Sequence, residues 1–334
     1  MFTLAVFVVV LLTAGALYQV IGERRGARIH PPPGTTIDVD GQRLHVVCAG
    51  RGEPDVVFES GIAASSLSWS RVMPEVAALT RACAYDRAGL GWSAPSQHPR
   101  TVARMLQELR GVLENSAPTG RHLLVGHSFG AFLVFAYAAQ HSTDIAGLVL
   151  LDPPSEWHDI TPQHRRMLRG GRQLARIGEI LTRVGIVRAC LALLTGGAPG
   201  VPRNVARIFG PTVARTLERL VGEVRKLPPE VHPIIQTLWC QPKCFRAMAD
   251  HFDAFAEMAA CAAGVKTLGE FPLVVVSSGD QPAEIVARHR ALAGLSSSGR
   301  HIVASRSGHW IQFDEPDLVV STIRDLVNAW RRTA

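Results

Sequence analysis

The run Leu123-Leu124-Val125-Gly126-His127-Ser128-Phe129-Gly130 decides how the chain is built. Its three leading apolar residues read as a buried strand and residues 131–140 as a helix, so Gly-x-Ser-x-Gly falls on a strand-to-helix reversal. The backbone must turn so sharply at the serine that side chains at Gly126 and Gly130 would collide with the adjoining strand and helix. Ser128 is thereby lifted above the sheet edge with its hydroxyl reachable. A turn with an incidental serine is the plainer reading of the five residues alone. The strand before them and the helix after them favour a nucleophile.

The alternation extends outward from this run. Asp40-Gly41 is a hairpin turn signal between strands at 35–38 and 43–49, and apolar runs at 55–58, 81–85, 145–151, 273–276 and 301–304 read as further strands. Residues 101–113 carry Val102, Met105, Leu106, Leu109, Val112 and Leu113 at helical spacing, and 316–331 form a closing helix. Such a succession predicts a mostly parallel α/β sheet with helices on both faces. From Asp152-Pro153-Pro154 to about Lys266 the alternation stops, and helices are expected at 163–176, 180–194, 205–225, 233–238 and 245–263, an inserted cap.

Gly126-His127-Ser128-Phe129-Gly130 resembles the nucleophile elbow of the α/β-hydrolase superfamily. Phe58-Glu59-Ser60-Gly61-Ile62, the loop Tyr85-Asp86-Arg87-Ala88-Gly89-Leu90-Gly91-Trp92-Ser93, and Ser307-Gly308-His309-Trp310 fall where that fold would put them. The resemblance runs from about Thr35 to the C-terminus outside the middle region, which varies freely in that superfamily. It implies an α/β-hydrolase core in two parts, residues 35–152 and 267–334, with a helical cap at 153–266. It also implies Ser128 as nucleophile and His309, in the loop after the last strand, as general base. Order along the chain allows either Asp280 or Asp152 as the acid that orients the histidine. Asp280, a few residues past its strand, is the expected one and Asp152 the alternative.

The oxyanion donors implied are the backbone N–H groups of Ile62 and Phe129, although Ser60-Gly61 replaces the His-Gly pair usual in that loop. Arg87 either pairs with Glu59 or is a solvated loop cation. His127 is expected to point away from the nucleophile.

The activity implied is that of a serine hydrolase working through an acyl-enzyme, on a carboxylic ester with an apolar acyl part. Amidase or peptidase chemistry is an alternative, as is a hydrolase-fold binding or signalling protein with little turnover. Epoxide hydrolysis and dehalogenation are disfavoured, because those relatives place an aspartate at the elbow where this chain has Ser128. Fold alone does not fix a substrate. The oligomeric state stays open.

Composition sets outer limits. The 334 residues are 47% hydrophobic and can bury a large core, which excludes a disordered chain. The cap holds sixteen Lys and Arg against nine Asp and Glu, so it carries the whole formal net charge of +7. Without interleaved aromatics or a binding module that excess argues against nucleic acid, and a solvated helix face or attraction to anionic lipid accounts for it.

Residues 2–21 are uncharged and long enough to span a bilayer's ~30 Å hydrocarbon core, so 1–22 is expected to be a transmembrane anchor. A cleaved signal peptide is the alternative, since Ala14-Gly15-Ala16 resembles a cleavage site. Arg24, Arg25 and Arg28 follow the span and place the rest in the cytoplasm by the positive-inside tendency, the extracytoplasmic side being the alternative. Residues 23–34, with Pro31-Pro32-Pro33, read as a basic and stiff stalk. Cys48 and Cys83 lie in strand-like runs and are expected in the core. Cys240 and Cys244 are close in sequence, either by accident or as a local disulfide. No metal-ligand spacing occurs, and neither metal nor cofactor is expected.

Overall fold

Strands covered on both faces need apolar side chains at successive positions, and four segments supply them. Every residue of β3 (Asp55–Glu59), β5 (His122–His127), β6 (Ile145–Leu151) and β7 (Leu273–Ser278) is buried. The computed structural model describes residues 1–116, 120–155, 160–195 and 224–333. With β1 (Thr35–Val39), β2 (Gln42–Ala49), β4 (Ala82–Tyr85) and β8 (Gly299–Ala304), these strands form one sheet of order β1-β2-β4-β3-β5-β6-β7-β8. The β1–β2 hairpin is antiparallel and turns at Asp40 and Gly41, both at positive φ, and β2 pairs antiparallel with β4. From β4 to β8 all pairing is parallel. This is the mostly parallel α/β-hydrolase sheet expected from the sequence.

Period-two alternation assigns the faces. Val57, Leu124, Leu148, Leu150 and Val275 pack with α3 (Val102–Ser116) and α4 (Phe129–Gln140). Val56, Phe58, Val125, Val149, Val274 and Val276 pack with the closing helix Pro316–Thr333. Helix α4 is apolar all round and residues Phe129 to Ala138 are all buried, so it forms the core of the first face.

Between β6 and β7 the described residues form helices α5 (Pro162–Arg183), α6 (Ile186–Thr195), α7 (His232–Trp239) and α8 (Pro242–Ala263). Helix α5 runs through the break expected near residues 177–179. Gly178 does not end it, because it lies inside the helix and leaves room for the Phe245 ring of α8. The turn comes instead at Val184-Gly185, where Gly185 takes a φ of 75°. Most of the helix expected at 205–225 lies outside the described residues.

The N-terminal helix α1 (Phe2–Ile29) is longer than the expected span, about 42 Å at 1.5 Å per residue, and continues through Arg24, Arg25 and Arg28. It is long and apolar enough to cross a membrane, a description that a signal sequence also meets. Residues 1–14 are exposed. Beyond them one side of the helix lies on the cap: Gly15 meets Val184, Gly22 meets Arg188 and Gly26 meets Thr237, where side chains would clash. The Gln19 amide donates to the Cys240 carbonyl. The prolines that follow are held down rather than free, since His45 bonds the Pro33 carbonyl and the Trp92 indole donates to the His30 carbonyl at 3.1 Å.

Cys48 and Cys83, expected in the core with no pairing foreseen, form a disulfide. They are directly opposite in the antiparallel β2–β4 ladder, with Cα atoms 4.1 Å apart. Cys240 and Cys244 are buried and free. Closing a loop with a sequence separation of 35 is worth about 3–4 kcal/mol on the chain-entropy estimate. Urea unfolding with and without dithiothreitol is therefore expected to show a loss of that order on reduction. Peptide mapping without reductant should join Cys48 to Cys83 and leave Cys240 and Cys244 alkylatable. A Cys240–Cys244 linkage would contradict the pairing.

Candidate active site

Ser128 sits between β5 and α4 with φ 53° and ψ −123°, a conformation that costs a side-chain-bearing residue ~1–3 kcal/mol and persists only where packing enforces it. The enforcement comes from the two glycines. A Cβ on Gly126 would lie 2.7 Å from the Ala131 Cα, and one on Gly130 would lie 2.5 Å from the Glu59 carbonyl oxygen. Neither position admits a side chain, so β5, α4 and the loop after β3 close on one another beneath the serine. The Ser128 N–H donates to the Leu151 carbonyl at 3.0 Å, which ties the elbow to the end of β6.

His309 lies in the loop between β8 and the short helix Ile311–Asp314. Its Nε2 is 3.0 Å from Ser128 Oγ and its Nδ1 is 2.7 Å from Asp152 Oδ2. A carboxylate can only accept, so Nδ1 carries the proton and Nε2 is left to accept from the serine hydroxyl. Asp152 is the first residue after β6 and is itself at positive φ, 41°. Its side chain is fully buried, and its oxygens also accept from the Ser278 N–H at 3.1 Å and the Gln281 amide at 2.9 Å. Burial by itself would raise the Asp152 carboxyl. The hydrogen bond and charge of His309, with the Ser278 and Gln281 donors, outweigh it and hold the carboxyl below its ordinary value.

The carboxylate on the histidine is thus Asp152 and not the expected Asp280. The reason is the sheet. β6 is hydrogen-bonded to β5, so a residue at its C-terminal end emerges one strand spacing from the elbow, whereas β7 is one strand further away. Asp280 lies two residues beyond β7, on a turn fixed by the Gly279 N–H donating to the Ser307 carbonyl. There it is exposed and accepts from the Ser278 hydroxyl at 2.7 Å.

The loop after β3 lies against the serine: a Cβ on Gly61 would be 3.3 Å from Ser128 Cβ. The Ile62 amide donates to no backbone carbonyl of the described residues, and Phe129, as first residue of α4, has an N–H the helix does not use. These two amides are the ones the resemblance implied as oxyanion donors. Ala64, Ser65, Trp239, Trp310 and Phe313 line a narrow apolar cleft beside this loop and His309. Ile186 and Leu193 are exposed on the surface of α6 and line no part of this cleft. Among the described residues no three His, Cys, Asp or Glu side chains gather as metal ligands would.

Two residues to which the sequence reading gave no part in the site also shape it. Gln281 holds Asp152. His127 does point away from Ser128, but its Nε2 donates to the His309 carbonyl at 2.8 Å and so fixes the loop that carries His309. Burial, then the neighbouring His309, hold the His127 imidazole down at about 3, so it stays neutral. Its place inside the elbow was the available signal. Arg87 is buried and paired with Glu59, which resolves the alternative left by the sequence.

A family model described as the alpha/beta hydrolase family matches residues 56–322. YqjL, an uncharacterized protein of Bacillus subtilis, is 34% identical over 119 residues, 35% of this chain and 47% of its own. A haloalkane dehalogenase of Sphingobium indicum is 32% identical over 146 residues, 42% of this chain and 49% of its own. The matched segment thus spans about half the length of these relatives. Among solved structures, the epoxide hydrolase CorEH superposes with a TM-score of 0.64 at 16% identity, covering 87% of this chain and 97% of its own, a likeness of fold.

The geometry makes the acid testable by exchange. Asp152→Asn is expected to slow fluorophosphonate labelling of Ser128 by roughly 10⁴-fold, as loss of the orienting carboxylate does elsewhere, while Asp280→Asn stays within about twofold of the wild type. The reverse pattern would return the role to Asp280.

The buried His127 predicts acid sensitivity. Its folded value of about 3 lies below the ordinary value near 6.5, so the unfolded chain binds a proton that the folded one refuses. Stability from this group is complete above ~6.5 and is lost as pH falls toward 3, with a slope approaching ~1.4 kcal/mol per pH unit. Asp152 acts in the same sense at lower pH, because its folded value is depressed. Urea unfolding between pH 7 and 4 should show a flatter dependence for His127→Gln than for the wild type, and equal slopes would place the acid sensitivity elsewhere.

Proposed function

Because the chain belongs to the alpha/beta hydrolase family, we propose that it is a serine hydrolase that cleaves a carboxylic ester through an acyl-enzyme. The observation that carries this reading is the hydrogen-bonded series Ser128 Oγ, His309 Nε2, His309 Nδ1, Asp152 Oδ2, with a serine at the elbow. The relatives named dehalogenase and epoxide hydrolase share the fold. Their alkyl-transfer chemistry calls for a carboxylate nucleophile, and a hydroxyl activated by a histidine suits attack on a carbonyl carbon.

In the first half-reaction Ser128 Oγ bonds to the carbonyl carbon while its proton passes to His309 Nε2. The carbonyl oxygen becomes an oxyanion received by the Ile62 and Phe129 N–H groups, each such donor being worth ~3 kcal/mol of barrier. The C–O bond to the alcohol then breaks, His309 protonates the departing oxygen, and the acyl group stays on Ser128. Water, deprotonated by His309, repeats the sequence and releases the acid. Asp152 remains ionised throughout and stabilises the imidazolium.

The substrate we propose is apolar and reaches the site from a membrane. α1 supplies an exposed apolar surface over residues 1–14, and the α5–α6 corner at Val184-Gly185 meets it at Gly15, beyond which only one side of the helix, with Leu17 and Ile21, stays exposed. Ile180 and Ile186, 64% and 42% exposed, flank that corner and would lie at the bilayer surface beside the anchor. On the cap, Arg165, Arg166 and Arg169 are exposed, whereas Arg172 and Arg176 pair with Asp253 and Asp250. The exposed Arg165, Arg166 and Arg169 suit anionic headgroups. The Cys48–Cys83 disulfide favours an oxidising compartment and so opposes the cytoplasmic placement read from Arg24, Arg25 and Arg28.

The test is a turnover screen of esters, amides and thioesters over a range of acyl lengths, in vesicles with and without anionic lipid, with Ser128→Ala as the blank. Ester hydrolysis that rises with acyl length and with anionic lipid is the expected result, abolished in Ser128→Ala. Folded wild-type protein that neither turns over nor takes a fluorophosphonate would leave a binding protein. Preference for short soluble esters would remove the membrane from the mechanism.

A further inference from the structure

Arg87 is 2% exposed and lies directly beneath the loop that receives the oxyanion. Its guanidinium is used on every side. Nη1 pairs with the Glu59 carboxylate and donates to the Ser60 carbonyl at 2.5 Å. Nη2 donates to the Gly61 carbonyl at 2.6 Å, and Nε to His251 Nε2 of α8 at 3.0 Å. The group also stands 5.4 Å from the centre of the Phe129 ring. Glu59 takes a second bond from the Tyr85 hydroxyl, so the buried cation is neutralised and the carboxylate is satisfied. One side chain therefore reaches the end of β3, two successive carbonyls of the oxyanion loop, the first residue of α4, and the cap.

The consequence follows from the planar trans peptide. The Gly61 carbonyl and the Ile62 N–H belong to one peptide unit and point in opposite directions. Drawing the Gly61 oxygen onto Nη2 aims the Ile62 N–H away from the guanidinium, and the Ser60 bond fixes the preceding peptide in the same way. Ala63, at a φ of 61°, completes the bend. In this loop the usual His-Gly pair is Ser60-Gly61, and glycine does not hold its own peptide orientation. Within the loop the Gly61 carbonyl accepts only from the Ala64 N–H, at 3.3 Å, so the shorter bond from Nη2 is the stronger hold on that peptide.

We propose that Arg87 is a positioning residue that sets the Ile62 oxyanion donor, with His251 linking its orientation to the cap. The proposal rests on the serine-hydrolase reading above. A guanidinium is required because four acceptors lie in different directions about one planar fork, which the three donors of an ammonium cannot serve together.

The experiment compares wild type, Arg87→Lys, and the double variant Glu59→Gln/Arg87→Met, which keeps the volume without leaving an unpaired buried charge. Each is measured for p-nitrophenyl butyrate turnover, for inhibition by an alkyl boronic acid, which mimics the tetrahedral state, and for cooperative thermal unfolding. Both variants are expected to unfold cooperatively, with kcat lower by about 10²-fold, KM within about threefold of wild type, and boronate affinity reduced in proportion to kcat, the pattern of a donor lost only from the transition state. A folded variant with kcat within about threefold of wild type overturns the proposal, as does a change confined to KM. Absence of a cooperative transition in both variants would assign Arg87 to stability alone and overturn it too. Wild-type protein without turnover or labelling would remove the hydrolase reading itself, a result distinct from an active wild type with equally active variants.

Discussion

The backbone reversal at Ser128 is the constraint on which the site depends. A residue with a side chain is held at positive φ because three elements close around it without room for a Cβ on either flanking glycine. The strain is local and the packing that maintains it is not. β5 brings the chain up from the middle of the sheet, α4 carries it down through the most apolar part of the core, and the loop after β3 abuts the start of that helix. The large buried sheet therefore serves as a clamp, and the exposed hydroxyl results from burying nearly everything around it.

The polar groups near the serine are organised by strand position. Asp152 directly follows β6, the neighbour of β5, and its N–H continues the ladder to the Val276 carbonyl at 2.7 Å, so its carboxylate has little freedom. His309 arrives from the far side of the sheet after β8, and two contacts fix it, one from Asp152 to its ring and one from His127 to its carbonyl. Each buried member finds a partner among the others, which is how a charged and strained site is tolerated inside an apolar fold.

The cap joins this arrangement at two places of different character. Toward the core, α8 reaches Arg87 through His251 and packs Phe255 against Phe132. Toward the outside, the α5–α6 corner and α7 receive α1 along Gly15, Gly22 and Gly26. A chain with its basic excess in the cap and its apolar helix docked on that same cap has one side built differently from the rest. The Cys48–Cys83 bridge lies apart from both places, in the antiparallel end of the sheet.

Much of this was legible in the residues. Continuous apolar runs gave the parallel strands, Asp40-Gly41 gave the hairpin, and Gly-x-Ser-x-Gly between a strand and a helix gave Ser128, because each of these signals is local and its physics is that of the backbone. His309 followed from its place after the last strand. The acid was not legible: Asp152 and Asp280 both satisfy the order along the chain, and only the lateral order of β5, β6 and β7 brings one to the histidine and leaves the other in solvent. The same holds for the Cys48–Cys83 pairing, which depends on β2 lying beside β4, and for Arg87 and His251, 164 residues apart and meeting only because the cap folds back over the elbow. Sequence determined what each segment is, since propensity and periodicity act within a few residues. Tertiary structure alone decided which side chains meet, since that depends on strands and helices brought together across long stretches of chain.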